Sequence, residues 1–424
     1  MLKKIGLSEK ESIFAKNALM LYIMTALKYL MPLIIAACLT RRLGASSYGK
    51  LIYSSTMMGY FMTIIDFGFN YSATRKIAAN RNNETKISEV FSDTILGKVL
   101  LVIPCVVLFT LMVNSIDLLK NNFWLTLLFF INSISNVFLP DFVYRGLEKM
   151  ENITIRYGIS KVVSTAFVFA FVVSERYVLL VPIIYFIGSC AAILWSLHNL
   201  KKYNICFVKR SFYKVLNGLR ESSVFFISVF ASASFSAIIS FVLGMDDFSA
   251  SDIAYWNIAI QVVIAIQSLY DPLTASLFPR MVIEKDYRKA LKVTAVLTIV
   301  VAFGCVIMYF LADYIILIIA GEGYNDAAFL LKLLIPLIFF SFPAQMLGFP
   351  ILGAMGKVNQ VTASTVISSL FLLISIFIVK MFCDIDIVSI AIIRNCTECV
   401  YFVIRLVFVA LSKESLSTTS GTYA

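Results

Sequence analysis

The sequence predicts an all-α integral membrane protein, with about twelve transmembrane helices in two six-helix bundles related by pseudo-two-fold symmetry. Of its 424 residues, 60% are hydrophobic and only 14% are charged, and the mean hydropathy is +0.88. A soluble chain of this length could not cover so much apolar surface. The apolar runs are about twenty residues long and do not alternate, so they predict membrane-spanning helices rather than the strands of a closed barrel.

Twelve apolar runs can be distinguished along the chain, and each is a candidate membrane helix. All nine prolines lie in these runs or at their edges, where membrane helices tolerate them. The approximate bounds of the predicted spans are 17–40, 51–69, 93–113, 123–143, 157–173, 178–199, 223–243, 253–278, 293–311, 329–351, 361–379 and 389–411.

The lysine and arginine residues in the loops orient these helices. With the N-terminus inside, the cytoplasmic segments hold 24 of the 36 basic residues and the outer loops hold 6. Because basic residues favour the cytoplasmic side of a membrane, both termini are predicted to be cytoplasmic. The formal net charge of +11 is thereby explained by membrane topology, so no nucleic-acid partner is expected.

The longest basic loop lies near the midpoint of the chain. It predicts an N-terminal six-helix lobe (1–199), a basic cytoplasmic linker (200–222) and a C-terminal six-helix lobe (223–424). The lobes carry traces of a repeat, because DFGFNYSATR begins at Asp66 and DPLTASLFPR begins at Asp271, an offset of 205 residues. Each segment ends in an arginine, Arg75 or Arg280. A parallel duplication of this kind predicts two related lobes with a binding site between them.

Four charged residues lie too deep in the predicted helices to reach the membrane surface. Lys28 is about eleven residues from the start of span 1. Arg394, Glu398 and Arg405 share one stripe of span 12, because successive residues turn by about 100°, and they cover about 16 Å of depth. A charge at the centre of a membrane helix costs about 2.5–3.5 kcal/mol, so these side chains are predicted to face a wet cavity or one another.

The surplus charge of this group is cationic. Lys28, Arg394 and Arg405 are therefore predicted to line a cavity that binds an anion. The alternative is an Arg394–Glu398 pair with a purely structural role, since the two residues have the i,i+4 spacing of a helical ion pair.

Three acidic residues lie near the cytoplasmic ends of even-numbered spans, namely Asp66, Asp141 and Asp271. They are either hydrated helix ends beside basic loops or contacts that gate the inner mouth of the cavity. Three lysines near span ends, Lys98, Lys161 and Lys332, are predicted to extend their ammonium groups to the membrane interface.

Four amides within the spans have two interpretations. They would either contact the hydroxyl groups of a sugar or form hydrogen bonds between helices. These residues are Asn132 and Asn136 in span 4, and Asn257 and Gln261 in span 8.

The segment RRLGASSYGKLIYSSTMMGYFMTIIDFGFNYSATRKIAANR (41–81) resembles the opening of O-antigen flippases of the Wzx type. These form part of the polysaccharide-transporter branch of the multidrug/oligosaccharidyl-lipid/polysaccharide exporter superfamily. The matching parts are the LG…YG turn, the DFGF segment and ATRKIA, and GLEKMEN (146–152) is similar to a recurring family pattern. The resemblance implies two six-helix bundles that work by alternating access in a bacterial inner membrane around a cationic cavity. Of the charged positions, it maps only Asp66.

By this resemblance the protein would be a flippase, not an enzyme. It would carry undecaprenyl-pyrophosphate-linked O-antigen repeat units from the cytoplasmic to the periplasmic leaflet. Its partners would be the lipid-linked oligosaccharide and membrane lipid. Coupling to H⁺ or Na⁺ is compatible with this hypothesis, and so is contact with O-antigen polymerase machinery. Glu398, Asp66 and Asp271 are the candidates for setting the cavity charge or coupling an ion. No cofactor or metal is expected, because there is no Walker A sequence and the single histidine, His198, lies at the inner end of span 6.

Three other functions fit the same topology. An exporter of another lipid-linked glycan, for capsule or exopolysaccharide, would use the same cationic residues. A drug/cation antiporter of the same superfamily would need an anionic cavity, whereas the central charges here are three basic to one acidic. An O-antigen polymerase or ligase would need room at the outer face, whereas the longest predicted outer loop (312–328) has about seventeen residues.

Overall fold

The computed structural model describes residues 9–245, 248–271, 273, 274, 281 and 287–420, and every regular element in these ranges is helical. Short 3₁₀ turns and one π-helical turn connect some of the α-helices. The α-helices are α1 (Glu9–Asp66), α2 (Phe69–Ala79), α3 (Glu84–Ser115), α4 (Asp117–Asn121), α5 (Phe123–Val137), α6 (Asp141–Gly146), α7 (Met150–Phe171), α8 (Leu180–Leu200), α9 (Phe212–Met245), α10 (Ala250–Gln267), α11 (Tyr287–Ala320), α12 (Asn325–Leu333), α13 (Ile335–Met346), α14 (Val358–Phe382) and α15 (Ile387–Ser420).

The membrane spans of the described residues agree with the all-helical prediction. Ten helical segments are long and apolar enough to cross a membrane, and α9 adds an eleventh if its two halves, bent by 56°, form one span. Helix α1 has 58 residues and is about 87 Å long at 1.5 Å per residue, almost three times the thickness of a hydrocarbon core. It breaks at Gly44 (φ 71°, ψ 170°), a conformation that is essentially restricted to glycine. Counting α1 as two spans gives the twelve expected from the sequence.

The chain divides into two compact units, Met1–Ala233 and Ser234–Ala424. The boundary lies within α9. The basic segment predicted as a linker is attached to the first unit, because Arg210 forms ion pairs with Asp93 (2.7 Å) and Glu89 (2.9 Å) of α3. The hydrogen bond to Asp93 raises the pKa of Arg210 above its ordinary value. The backbone N–H of Val208 also donates to the Ser92 hydroxyl of α3 at 2.8 Å.

In the first unit, α1 packs against α5 and α7, and α8 packs against α5 and α7. The contact between α7 and α8 is close at Gly188, where an added Cβ would lie 2.6 Å from the Ser164 hydroxyl. Small residues of this kind let membrane helices approach each other. Thr154 of α7 donates to the Met20 carbonyl of α1 at 3.0 Å, and this bond fixes α1 beside α7.

In the second unit, α15 packs against α13 and α14, while α11 packs against α12 and α13. Helix α13 continues into a π-helical turn, Leu347–Gly353, in which Gly348 has a non-helical ψ of −118°. Pro350 lies in the same turn and has no N–H to donate to a helical hydrogen bond. The second unit therefore contains a broken membrane helix whose free backbone groups need partners.

The DFGF segment forms the sharp turn between α1 and α2. Phe67 and Gly68 both have left-handed conformations, with φ of 46° and 75°. An added Cβ at Gly68 would lie 2.7 Å from the backbone nitrogen of Phe226 and 2.9 Å from the Ser222 carbonyl oxygen in α9. Only glycine satisfies both the conformation and the close approach to α9. The DFGF segment, which carries part of the family resemblance, therefore packs closely against α9 within the first unit.

Replacing Gly68 with alanine is expected to destabilise the protein by about 2 kcal/mol or more, because the new Cβ meets backbone atoms that have no freedom to move. Gly356 is the matched control, since it has the same φ of 75° and nothing within 4 Å of an added Cβ. Its alanine variant should lose only about 1 kcal/mol. Melting temperatures of the two variants in detergent measure the difference, and equal losses would contradict the close approach of Gly68 to α9.

Candidate functional site

The charged stripe predicted in span 12 lies on α15 of the second unit. Arg394 Nη1 and Glu398 Oε2 form an ion pair of 2.8 Å, and both side chains are largely buried, with exposed fractions of 15% and 8%. The Arg394 guanidinium also lies over the Phe235 ring, 5.3 Å from its centre. Glu398 occupies one of the five N–H donors that an arginine carries. Four of the five N–H donors of Arg394 are therefore not used by Glu398.

Arg405 lies about three turns beyond Arg394 on α15, and backbone and side-chain groups of the same unit hold it. Its Nε donates to the Ser364 hydroxyl at 3.0 Å and its Nη1 donates to the Ala344 carbonyl at 2.7 Å. The guanidinium lies over the Tyr401 ring, 4.1 Å from its centre. Arg405 therefore connects α15 to both α13 and α14.

The partner of Arg405 on α13 lies next to the helix break. Ala344 is in the last turn of α13, where backbone carbonyls have no α-helical partner. An added Cβ at Gly348 would lie 2.9 Å from Arg405 Cζ, so the glycine makes room for the guanidinium. Arg405 thus compensates a backbone carbonyl at the break, a role that helical spacing alone did not indicate.

Lys28, the third predicted cation, lies on α1 of the first unit. Its side chain is exposed, its ammonium is 5.5 Å from the centre of the Tyr29 ring, and no carboxylate in the described ranges forms an ion pair with it. Leu19 and Leu30, which are 52% and 55% exposed, lie about 180° and 160° around the helix from Lys28. The exposed apolar side of α1 is therefore opposite the side that carries the charge.

Asp66 has a partner that the sequence did not reveal. Its Oδ1 forms a 3.0 Å ion pair with Lys98 of α3, and Lys98 also donates to the Val137 carbonyl at 2.9 Å. The Lys98 side chain is only 2% exposed and its ammonium lies 5.3 Å from the centre of the Phe142 ring. The expectation that Lys98 extends to the membrane interface is therefore wrong. Its charge is neutralised within the first unit.

The other two predicted gate carboxylates differ from each other. Asp141, at the start of α6, accepts two hydrogen bonds from Arg156 Nη2, of 2.7 and 3.0 Å. Asp271 is exposed and directly follows the 3₁₀ turn Ser268–Tyr270. Arg280, at the end of the repeated segment, lies outside the described residues. Lys332, at the end of α12, pairs with Asp313 at 2.6 Å.

The four predicted amides all form hydrogen bonds within their own unit. Ser189 of α8 donates to Asn132 Oδ1 at 2.9 Å and to Asn136 Oδ1 at 3.2 Å, which connects α5 to α8. In the second unit, Gln261 Nε2 donates to Asn257 Oδ1 at 2.6 Å. Gln261 Oε1 is buried and accepts no hydrogen bond, so this side chain retains one acceptor that a hydroxyl group could satisfy.

Two functional features escaped the sequence analysis, namely the Arg156–Asp141 pair and the break at Gly348. Arg156 precedes the predicted span 157–173, whereas the structure places it within α7, where it is buried. Gly348 and Pro350 lie close together in one apolar run, a pattern that indicates a broken membrane helix.

The sequence and the fold both match known proteins. The family model described as polysaccharide biosynthesis protein matches residues 14–283. A relative from Escherichia coli (strain K12), named "Putative O-antigen transporter", is 23% identical over 406 residues, covering 94% of this chain and 97% of that one. A relative from Shigella dysenteriae with the same name is 25% identical over 323 residues, covering 73% of this chain and 78% of that one.

Two solved structures share the fold over almost the whole chain. One is an inward-facing multidrug resistance MATE family transporter of the MOP superfamily, with a TM-score of 0.69, 13% identity and coverage of 96% of this chain and 100% of that one. The other is the lipid II flippase MurJ in an inward closed conformation, with a TM-score of 0.68, 14% identity and coverage of 93% and 87%. The fold expected from the apolar pattern is thus one that membrane transporters use.

Proposed function

The chain belongs to the polysaccharide biosynthesis protein family, and from this premise we propose that it is a flippase for lipid-linked O-antigen repeat units. The cargo would be an undecaprenyl-pyrophosphate-linked oligosaccharide, moved from the cytoplasmic to the periplasmic leaflet of a bacterial inner membrane by alternating access. One observation carries the proposal: the similarity to the Escherichia coli relative named "Putative O-antigen transporter" covers 94% of this chain and 97% of that one. Both termini would be cytoplasmic, because the basic residues concentrate in the loops on that side.

The chemical problem for such a flippase is the pyrophosphate, which is far too costly to pass through hydrocarbon without partners. Lys28 and Arg394 would replace its lost hydration, Lys28 as a compact point charge and Arg394 by paired donors. Arg405 would add positive charge at the same helix while it holds the break in α13. The polyprenyl tail would stay in lipid while the glycan and pyrophosphate cross in water.

The acidic residues would moderate this positive charge. Glu398 already neutralises part of Arg394, so the bound anion would be released more easily than from an uncompensated arginine. Asp66 and Asp271 are the candidates for H⁺ or Na⁺ coupling. Gln261, with its unsatisfied buried oxygen, and Asn257 are the favoured glycan contacts, whereas Asn132 and Asn136 are bonded to Ser189. Contact with O-antigen polymerase machinery would follow from the shared cargo.

Deleting the gene is expected to abolish surface O-antigen and to leave lipid-linked repeat units in the cytoplasmic leaflet. Surface glycan is measured on lipopolysaccharide gels, and the leaflet is measured by oxidising spheroplasts with periodate, which does not cross the membrane. In the deletion strain, the units should stay in the cytoplasmic leaflet and resist oxidation. When the gene is restored, they should reach the periplasmic leaflet and become sensitive. Normal surface O-antigen in the deletion strain would refute the proposal, and a surface glycan of single repeat units would indicate a polymerase instead.

A second candidate function is favoured by the fold, because a multidrug transporter shares it with a TM-score of 0.69. Export of cationic drugs would need carboxylates where this chain carries Lys28, Arg394 and Arg405. Uptake and release of a cationic dye by the deletion strain distinguishes the two functions. Loss of capsule or exopolysaccharide, with O-antigen intact, would instead indicate another lipid-linked glycan.

A further inference from the structure

Lys161 lies at the middle of a membrane helix, not at its end. Helix α7 begins at Met150 and ends at Phe171, so Lys161 is about 16 Å from both ends at 1.5 Å per residue. The apolar run in the sequence begins only at 157, which suggested a position near the interface. The structure adds about two helical turns before residue 157, so Lys161 lies further from the start of its helix than the apolar run indicates.

The surroundings of Lys161 hold a cation without neutralising it. The ammonium lies 5.9 Å from the centre of the Tyr157 ring and 5.2 Å from that of Tyr185. Within the described ranges it forms no ion pair with a carboxylate. Aromatic faces attract a cation, more strongly where water is excluded. The two rings therefore fix the position of the ammonium and leave its N–H donors available to an anion.

Lys161 is on the part of α7 that lies between its contacts with α1 and with α8, the helix that carries Tyr185. It lies two turns after Thr154, within about 20° of it around the helix, and Thr154 is the residue that donates to the Met20 carbonyl of α1. Ile159, which is 60% exposed, lies about 160° away. The charge is thus turned away from the exposed apolar face of α7.

Lys161 and Lys28 are at the same depth on neighbouring helices. Thr154 contacts Met20, and an added Cβ at Gly158 would lie 3.2 Å from Leu27, so α1 and α7 run parallel. Lys28 is eight residues beyond Met20, about 12 Å along α1, and Lys161 is seven residues beyond Thr154, about 10.5 Å along α7. Counted from Leu27 and Gly158 the difference is about 3 Å, so the two lysines are level to within about 3 Å by either contact.

We propose that Lys161 and Lys28 together form a two-lysine site within the first unit that binds the pyrophosphate of the lipid-linked substrate. Two lysines at one depth on neighbouring helices bring two positive charges to one region of the first unit, and no carboxylate of the described residues forms an ion pair with either of them. A pyrophosphate supplies two linked anionic groups, one for each ammonium, each able to accept charge-assisted hydrogen bonds. This inference rests on the proposed function and adds Lys161 as a substrate-binding residue.

The test uses farnesyl pyrophosphate as a short probe for the lipid pyrophosphate, bound to the full-length protein in detergent. Lys161→Met is expected to weaken binding roughly ten- to hundredfold, the effect of removing a hydrogen bond to a charged group. Lys161→Arg, which keeps the charge, should bind within about threefold of the wild type. Lys332→Met is the matched control, because Lys332 also lies near a tyrosine ring, 5.8 Å from the centre of Tyr309, but has Asp313 as its partner.

The outcomes separate this inference from the function beneath it. If the wild type does not bind farnesyl pyrophosphate, the proposed function fails. If the wild type binds it and a folded Lys161→Met or Lys161→Gln variant binds equally well, only the two-lysine site fails. Phosphatidylglycerol, added as a competitor, tests the other source of phosphate: if it binds as tightly as farnesyl pyrophosphate and with the same dependence on Lys161, the site is for lipid headgroups and the assignment to pyrophosphate is overturned.

Discussion

Replacing Lys28 with methionine is expected to stop export of the O-antigen unit without lowering the stability of the protein. The charge is exposed, has no carboxylate partner in the described ranges, and costs about 2.5–3.5 kcal/mol at the centre of a membrane helix. A charge that costs stability and has no carboxylate to compensate it is expected to serve function. Export should fall at least about tenfold, because a hydrogen bond to a charged group contributes about 1.5–3 kcal/mol.

Two measurements on the same variant check this prediction: the rate at which lipid-linked units become sensitive to periodate, and the melting temperature in detergent. Lys28→Arg should keep most of the export, since it keeps the charge. Lys120→Met, in the last turn of α4, is the control for loss of a lysine elsewhere in the first unit. Normal export by Lys28→Met would contradict the proposal that Lys28 binds the anion.

Lys28 gives a cleaner test than Arg394, although the sequence placed both in the same group. Removing Arg394 would leave Glu398 buried, with 8% of its side chain exposed and without its partner. Such a change lowers stability whatever the role of the arginine. Arg405 has the same difficulty, because its loss would free the Ala344 carbonyl and the Ser364 hydroxyl. A loss of export in either variant would not distinguish substrate binding from folding.

The sequence was sufficient for the fold because the signal is local. Each membrane helix needs about twenty apolar residues wherever it lies in the chain, and each predicted span between residues 17 and 243 lies largely inside an observed helix or helix pair. The Arg394–Glu398 pair was also predictable, since residues four apart on a helix are neighbours. The i,i+4 spacing needs no knowledge of the other helices.

The environments of the three membrane lysines were not predictable, because they depend on helix ends and on distant partners. The first turns of α7, MENITIR, contain several polar residues, so hydropathy placed the start of the span seven residues late and Lys161 too close to the start of its helix. The partner of Lys98 is Asp66, 32 residues away on another helix. Three lysines that look alike in the sequence thus have different surroundings. Lys161 lies between two tyrosine rings, Lys98 forms a buried ion pair, and Lys332 forms a half-exposed one.

Replacing Lys98 with methionine is expected to destabilise the first unit by about 3 kcal/mol. Breaking a buried ion pair leaves the remaining charge without its partner, at a cost of about 3–5 kcal/mol. The lower end applies because the Asp66 side chain is still 19% exposed. A loss of this size lowers the melting temperature by on the order of 10 °C for a unit of this length. Lys76→Met, which breaks an exposed pair with Glu221, should cost less than about 1 kcal/mol.

The double variant Lys98→Met/Asp66→Leu distinguishes packing from ion coupling. Replacing both members of a buried pair with apolar residues of similar size is often neutral for stability, so the double variant should melt close to the wild type. If Asp66 acts only as the partner of Lys98, export is restored together with stability. If Asp66 also couples an ion, the double variant is stable but export remains lost. A double variant as unstable as Lys98→Met alone would contradict the ion pair as the source of the stability.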